Sequence, residues 1–317
     1  MAAVYCAIKS RRYAKALELL NTGEVDVNYK YNDIPLLAYA ININSKMIDA
    51  ICVKLIELGA DDHTYMNDDD ETMLMIAIRN ELVATVRKLY DTNKVNRTYI
   101  NKDSCSALLY ACSNNKMADI TKLLVSDDID GKMICTIPSK PEYNEHSILM
   151  LARGCNADVM LSIIESGKSN PEYIHKTDGT ILIMLISDDN TGRNNDRREM
   201  IARALIATGK SKPEYIHNGR TSLNWACRNN MPTTALALIA TGKSKPGHVD
   251  DEGDTALIHA CYKKMKTVAC VLIATGQSKP GHVGQYGTAM SWAIYNKLTD
   301  VAGVLWEISN IPTMLKQ

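Results

Sequence analysis

Apolar positions recur along the chain as pairs of short stripes, broken by polar doublets and closed by glycine. From Thr255, residues Leu257, Ile258, Ala260 and Cys261 form a first stripe, and Lys263-Lys264 interrupts it. Val268, Val271 and Leu272, with Ala269 beside them, form a second stripe that ends at Gly276. Apolar residues three and four apart share a helix face, so each stripe predicts a short amphipathic helix. A threonine opening the first helix can accept from the free N–H groups of its first turn. The glycine suits the left-handed position past a helix C-terminus, which side chains disfavour.

The pattern repeats. Leu-Ile-Ala-Thr-Gly occurs at 205–209, 238–242 and 272–276, and related segments end at Gly167, Gly59 and Gly23. Half a repeat earlier stand Thr221-Ser222-Leu223-Asn224-Trp225-Ala226-Cys227 and Thr255-Ala256-Leu257-Ile258-His259-Ala260-Cys261. Related first-helix segments begin at Thr72, Ser106 and Thr288. A period of 33 to 34 residues signals a solenoid, since one unit cannot bury its apolar face without stacked neighbours. About nine units are expected, starting near residues 1, 33, 70, 103, 145, 178, 219, 253 and 287, in a single elongated array over 1–317. Residues 1–32 are cap-like, 33–286 hold the internal repeats, and 287–317 form a C-terminal capping unit. Insertions fall near 126–146 and 187–198; the second, polar throughout, predicts a solvated loop between two helices. From Ser139-Lys140-Pro141 onward, units are joined by Ser-x-Pro segments, repeated at 169–171, 211–213, 244–246 and 278–280. Their proline should stop the helix and hold its predecessor extended.

Ile34-Pro35-Leu36-Leu37 and the Thr-x-Leu segments, with Gly23-Glu24-Val25-Asp26-Val27-Asn28 and Gly59-Ala60-Asp61-Asp62-His63, carry a family resemblance. They stand where the ankyrin repeat has Thr-Pro-Leu-His and Gly-Ala-Asp-Val-Asn, and the chain resembles that family over nearly its whole length. The family histidine is replaced by Leu37, Met75, Leu109, Met150, Ile183, Asn224, Ile258 and Ser291, so its His–Thr ladder should be missing. Thr-Gly-Lys-Ser-Lys-Pro together with Leu-x-x-Ala-Cys-x-x-Asn is similar to the expanded ankyrin families of giant DNA viruses. The resemblance implies an all-α fold, an ankyrin-type α-solenoid of helix-turn-helix units joined by short hairpins or loops, used to bind other proteins. It also implies that contact residues lie on the turn before each first helix and on that helix's exposed side. In this chain those are His217, Asn218, Arg220, Arg228 and Asn229, then Asp251, Glu252, Asp254, Tyr262 and Lys263, then Tyr286 and Tyr295.

Composition adds boundaries. The chain is 46% hydrophobic and 23% charged with zero formal net charge, which suits a globular protein. Its most concentrated apolar run, Ile181 to Ile186, is far shorter than the ~20 residues a bilayer needs, and the N-terminus has no basic start before a long apolar core. Nine scattered cysteines without a Cys-x-x-Cys pair favour reduced thiols, hence an intracellular, cytoplasmic setting. The final third is net basic and the remainder mildly acidic, too modest a split to predict nucleic-acid binding.

Candidate chemistry is sparse. Gly-Lys-Ser recurs at 167–169, 209–211 and 242–244, but a phosphate loop needs an earlier glycine, a preceding strand and a following helix. Here the triplet follows a helix and reads as a duplicated helix stop. Cys112, Cys227 and Cys261 recur at equivalent first-helix positions, at least one repeat and about 10 Å apart in a stack and too far to share zinc, so they read as buried packing thiols. Tyr110, Trp225, His259 and Trp292 form an equivalent column that either packs between first helices or anchors a partner. The connection lysines Lys140, Lys168, Lys210, Lys212, Lys243, Lys245 and Lys279, diluted by nearby acids, predict a solvated rim. No nucleophile elbow, metalloprotease helix, dinucleotide glycine or kinase motif is present. The expectation is a non-enzymatic scaffold with no cofactor, metal or small-molecule substrate, binding a protein on its concave face. A substrate-recruiting adaptor for a host ubiquitin ligase is the alternative, and a nucleic-acid binder through 200–317 a more distant one.

Overall fold

The computed structural model describes residues 3–43, 45–60, 64–103, 105–125, 134–135, 146–153, 157–167, 169–188 and 195–314. The chain divides into two compact units, Met1–Ser169 and Asn170–Gln317. In the first, α1 (Ala3–Lys9) pairs with α2 (Tyr13–Asn21), and α3 (Leu36–Ile41) with α4 (Asp49–Glu57). Then α5 (Met73–Arg79) pairs with α6 (Val83–Asp91), α7 (Ala107–Cys112) with α8 (Ala118–Val125), and α9 (Ile148–Ala152) with α10 (Ala157–Glu165). In the second unit α11 (Ile181–Ser187) pairs with α12 (Asn195–Ala207), and α13 (Ser222–Arg228) with α14 (Pro232–Ala240). It continues with α15 (Ala256–Tyr262) and α16 (Lys266–Ala274), then α17 (Ala289–Tyr295) and α18 (Thr299–Met314). The all-α repeat solenoid expected from the periodicity is the observed architecture.

Helices this short are marginal in water on their own, so stacking must hold them. Within each unit first helices pack on first helices and second on second. A first helix is therefore covered on nearly every side: Met73 through Ile78 are all buried, as are Ala256 through Cys261. The expected thiols Cys112, Cys227 and Cys261 lie wholly in this core. Burial pushes the Cys261 thiol up to about 12, and Cys270 nearby adds to the effect.

The ends of the first helices form as their residues dictate. Thr72, Ser106, Ser147, Thr180, Thr221, Thr255 and Thr288 each accept from the backbone N–H three residues on, at 3.1–3.4 Å. Asn224 and Ser291, standing where the family has histidine, turn back and complete capping boxes at Thr221 and Thr288. After the second helices, Gly167, Gly209, Gly242 and Gly276 take φ between 68° and 71°. The Gly-Lys-Ser triplets are thus helix stops at 209 and 242, while Lys168 lies outside the described residues.

The connections are two-residue antiparallel hairpins. Lys30–Tyr31 pairs with Ile34–Pro35, Ile134–Cys135 with His146–Ser147, and Ile174–His175 with Gly179–Thr180. Ile216–His217 pairs with Arg220–Thr221, and Val283–Gly284 with Gly287–Thr288. Single bridges join Met66 to Thr72, Ile100 to Ser106 and Val249 to Thr255. The Ser-Lys-Pro units therefore keep the hairpin.

One local expectation is overturned. The residue before proline is not extended: Lys212, Lys245 and Lys279 take φ of 48°, 52° and 51°. Each lysine opens a β-turn with proline second, closed by the N–H of Tyr215, His248 or His282 donating to the lysine carbonyl at 3.0–3.1 Å. That turn bond offsets the local cost of a left-handed residue.

The 187–198 insertion also departs from a plain solvated loop. Its last residues, 195–198, are the first turn of α12, and Arg198 is buried. Arg198 donates from Nε to Leu185 O at 2.7 Å and from Nη2 to Ile186 O at 3.0 Å, capping the C-terminal carbonyls of α11. Residues 189–194, and nearly all of the 126–146 insertion with Lys140, lie outside the described residues.

Side chains then tie one repeat to the next. Asp49 at the start of α4 accepts from the N–H groups of Ala84 and Thr85 at the start of α6. Glu199 in α12 accepts from Thr234 N–H at the start of α14. Asn80, Asn229 and Asn296 donate from Nδ2 to the carbonyls of Ile41, Ile186 and Cys261, the open C-terminal ends of the preceding first helices.

Candidate functional site

The predicted contact residues fall in the second unit, and most gather around one groove. The hairpin before α15 and the first helix before it meet through charge. Arg220 Nε lies 3.2 Å from Asp250 Oδ2, and its Nη2 lies 2.8 Å from both Asp251 Oδ1 and Glu252 Oε1. Arg228 Nη1 pairs with Glu252 Oε2, and His259 Nε2 stands 2.8 Å from Asp250 Oδ2. The Arg220 guanidinium also lies 4.8 Å from the Trp225 ring centroid.

Asp250 is buried and its Oδ1 accepts from the N–H groups of Glu252 and Asp254, shaping the hairpin. Burial by itself pushes its carboxyl up, but the His259 hydrogen bond, the Asp254 N–H and the charges of His259 and Arg220 outweigh it and hold the group at about 2. Asn67 and Asn101 play the same hairpin role in the first unit, each accepting from two backbone N–H groups.

Asp254, four residues on, has the opposite fate. It is 7% exposed, its Oδ1 has no hydrogen-bond partner, and burial pushes its carboxyl up despite the neighbouring His259. The carboxyl sits against Gly284, where a Cβ would fall 1.8 Å from Oδ1 and 2.9 Å from Ile258 Cδ1.

Next to Asp254 opens a groove of about 800 Å³. Arg228, Asn229, Glu252 and Asp254 line one side, and Tyr262, Lys263, Tyr286 and Trp292 supply the rest with His259 and Ile258 at its base. Trp292 meets Tyr262 edge-on at 4.7 Å between centroids and Tyr295 at 5.7 Å. Tyr262, Tyr286 and Tyr295 are 49%, 72% and 76% exposed.

The structure thus brings together Arg228, Asn229, Glu252, Asp254, Tyr262, Lys263 and Tyr286, with Tyr295 in contact through Trp292. It places others differently. Arg220 and Asn229 are buried and bonded within the chain, so they serve the frame before any partner. His217 leans over Gly179, whose missing Cβ would come within 3.0 Å of its ring, and Asn218 sits exposed in a hairpin turn at φ 49°. The Tyr110, Trp225, His259 and Trp292 column does varied work: Tyr110 donates to Glu71, His259 serves Asp250, and Trp292 carries the aromatic wall. The column of recurring aromatics had offered Trp292 as a candidate anchor, but spacing did not single out Gln285 as a groove residue, nor His248 and His282, whose Nε2 atoms brace the preceding hairpins at Gly219 O and Gly253 O, both 2.8 Å. The one legible signal was the shared register of Trp292 with Trp225.

Among the described residues, no group of three or more His, Cys, Asp or Glu could hold a metal, and no helix is long and apolar enough to cross a membrane. The family model of ankyrin repeats in three copies matches residues 37–135, 183–283 and 223–312, most of the chain. No curated protein matches the sequence.

Proposed function

Since the chain belongs to the ankyrin-repeat family, whose members are generally protein–protein interaction modules, we propose that it is a non-catalytic scaffold that binds a partner protein through the groove-bearing face of its second unit. The observation that carries this reading is the exposed cluster of Tyr262, Tyr286 and Tyr295 around Trp292. Large aromatics held on short helices supply contact area at low entropic cost, and tyrosine and tryptophan dominate interface hot spots. The frame below is uniform from repeat to repeat, whereas the groove residues differ, as a tailored surface on a repeated support requires. Buried thiols such as Cys52, Cys227 and Cys261, each held protonated by burial, suit a reducing intracellular setting. The similarity of the Ser-Lys-Pro connections to viral ankyrin families makes an infected cell's cytoplasm our preferred setting.

The test is affinity purification from the native cell type with the chain and with the triple variant Arg228→Ala, Tyr262→Ala, Tyr295→Ala. The expected result is loss of the captured partner with a Tm within a few degrees of the parent. Undiminished capture by a folded triple variant would overturn the site.

A further inference from the structure

The acid that precedes the capping threonine is a recurring position, occupied by Glu71 before Thr72 and by Asp254 before Thr255. Both are buried. Glu71 is fully served from within the chain. Asn67 Nδ2 donates to its Oε2 at 2.8 Å, Arg79 Nη2 to the same oxygen at 2.9 Å, and Tyr110 OH to its Oε1 at 2.9 Å.

Counting from the capping threonine gives the residues that hold those three places around Asp254. Asn67 corresponds to Asp250, Arg79 to Tyr262, and Tyr110 to Trp292 in the next repeat. Every donor has been replaced: the amide by a second carboxylate, the guanidinium by a phenol ring, the hydroxyl by an indole. In their place the chain gives Asp254 a backbone N–H from Gln285, while its Oδ1 stays without a partner. Where Arg79 stands in one repeat, Tyr262 borders the groove in the other.

Neither cation on the groove wall pairs with Asp254. Arg228 is paired with Glu252, and the Lys263 ammonium lies 5.3 Å from the Tyr262 ring centroid. A buried carboxylate left with one oxygen unpartnered favours a charged donor, and electron-rich ring faces attract a planar cation. Guanidinium answers both demands, because its fork of N–H groups matches a carboxylate while its flat face stacks on aromatic rings.

We propose that the groove bounded by Asp254, Tyr262, Tyr286 and Trp292 takes an arginine side chain of the partner, which supplies in trans the guanidinium that Arg79 supplies in cis to Glu71. This rests on the interaction reading above and names its chemistry: the partner presents an exposed arginine. Arginine alone should bind weakly and saturably.

The test titrates the full chain with N-acetyl-arginine amide, following the indole N–H resonance of Trp292 by NMR. N-acetyl-citrulline amide, neutral but nearly the same shape, and N-acetyl-lysine amide serve as comparisons. A saturable Trp292 shift with the arginine compound is expected, with citrulline and lysine at least tenfold weaker. Asp254→Asn should weaken arginine binding at least tenfold. Tyr262→Arg rebuilds the Glu71 arrangement, so it should abolish arginine binding and raise the denaturation midpoint. A second-unit fold lost in Asp254→Asn would leave Tyr262→Arg as the deciding variant. No saturable shift, equal shifts from citrulline or lysine, or undiminished binding to Tyr262→Arg would overturn the proposal. A partner lost by the triple variant alongside a null arginine titration would sink this inference and leave the scaffold reading standing. Arginine binding with undiminished capture by the triple variant would mean that the partner does not use this groove and would overturn both readings.

Discussion

Glu71 in the first unit and Asp254 in the second occupy one repeat position and share burial, yet only Glu71 has donors for both of its oxygens. The backbone frame, capping threonine and hairpin are common to both. What differs is whether the chain's own next turn supplies the cation. The comparison teaches that this solenoid can satisfy a junction from inside or leave one oxygen unsatisfied while keeping the stack, because buried apolar first helices hold the stack in both units.

The comparison breaks most visibly if Arg79 is removed. Arg79→Leu should strip Glu71 of its charged donor and cost about 2–3 kcal/mol in urea denaturation. The loss should shrink in the double variant with Glu71→Gln, and an equal loss there would mean that Arg79 acts through packing.

Asp250→Asn should cost about 2 kcal/mol at neutral pH, since asparagine keeps the hairpin bonds, as at Asn67 and Asn101, but loses the pairing with Arg220 and His259. Because the folded carboxyl is depressed to about 2 from 3.8, this contribution is present above the unfolded value and fades as pH falls through the folded one. Parent and variant stabilities should converge near that lower pH.

Gly284→Ala should destabilise by about 1–2 kcal/mol, as the new methyl meets the Asp254 carboxyl and Ile258. The cost should fall in an Asp254→Ala background.

The smallest effect sharpens the comparison most. Asp254→Asn should be within about 1 kcal/mol of the parent and stabilising in sign at neutral pH, since burial disfavours the charged carboxylate. A raised folded pKa has the opposite linkage to Asp250: protonation favours the folded state, so the parent should gain on the variant as pH falls through the Asp254 folded pKa.

Much of this was legible in the residues. The 33 to 34 residue period, the paired stripes, the opening threonines and closing glycines yield the helix pairs and their caps, because each rests on local geometry. The groove was half legible: the family resemblance put Tyr262, Lys263, Tyr286 and Tyr295 on one contact face, but it also made Arg220 and Asn229 surface residues. Their burial comes from partners 30 and 43 residues away, Asp250 and the Ile186 carbonyl. The lysines before proline were misread because a local rule about Lys-Pro yielded to a turn hydrogen bond.

The amino-acid order by itself determined the repeat, its helices and the chemistry available at each junction, since those depend on neighbours within one turn or at one fixed offset. Only the tertiary structure decided which of those groups meet a partner: a carboxylate's fate turns on whether a donor from the adjoining repeat arrives within bonding distance, and that distance exists only once the repeats are stacked.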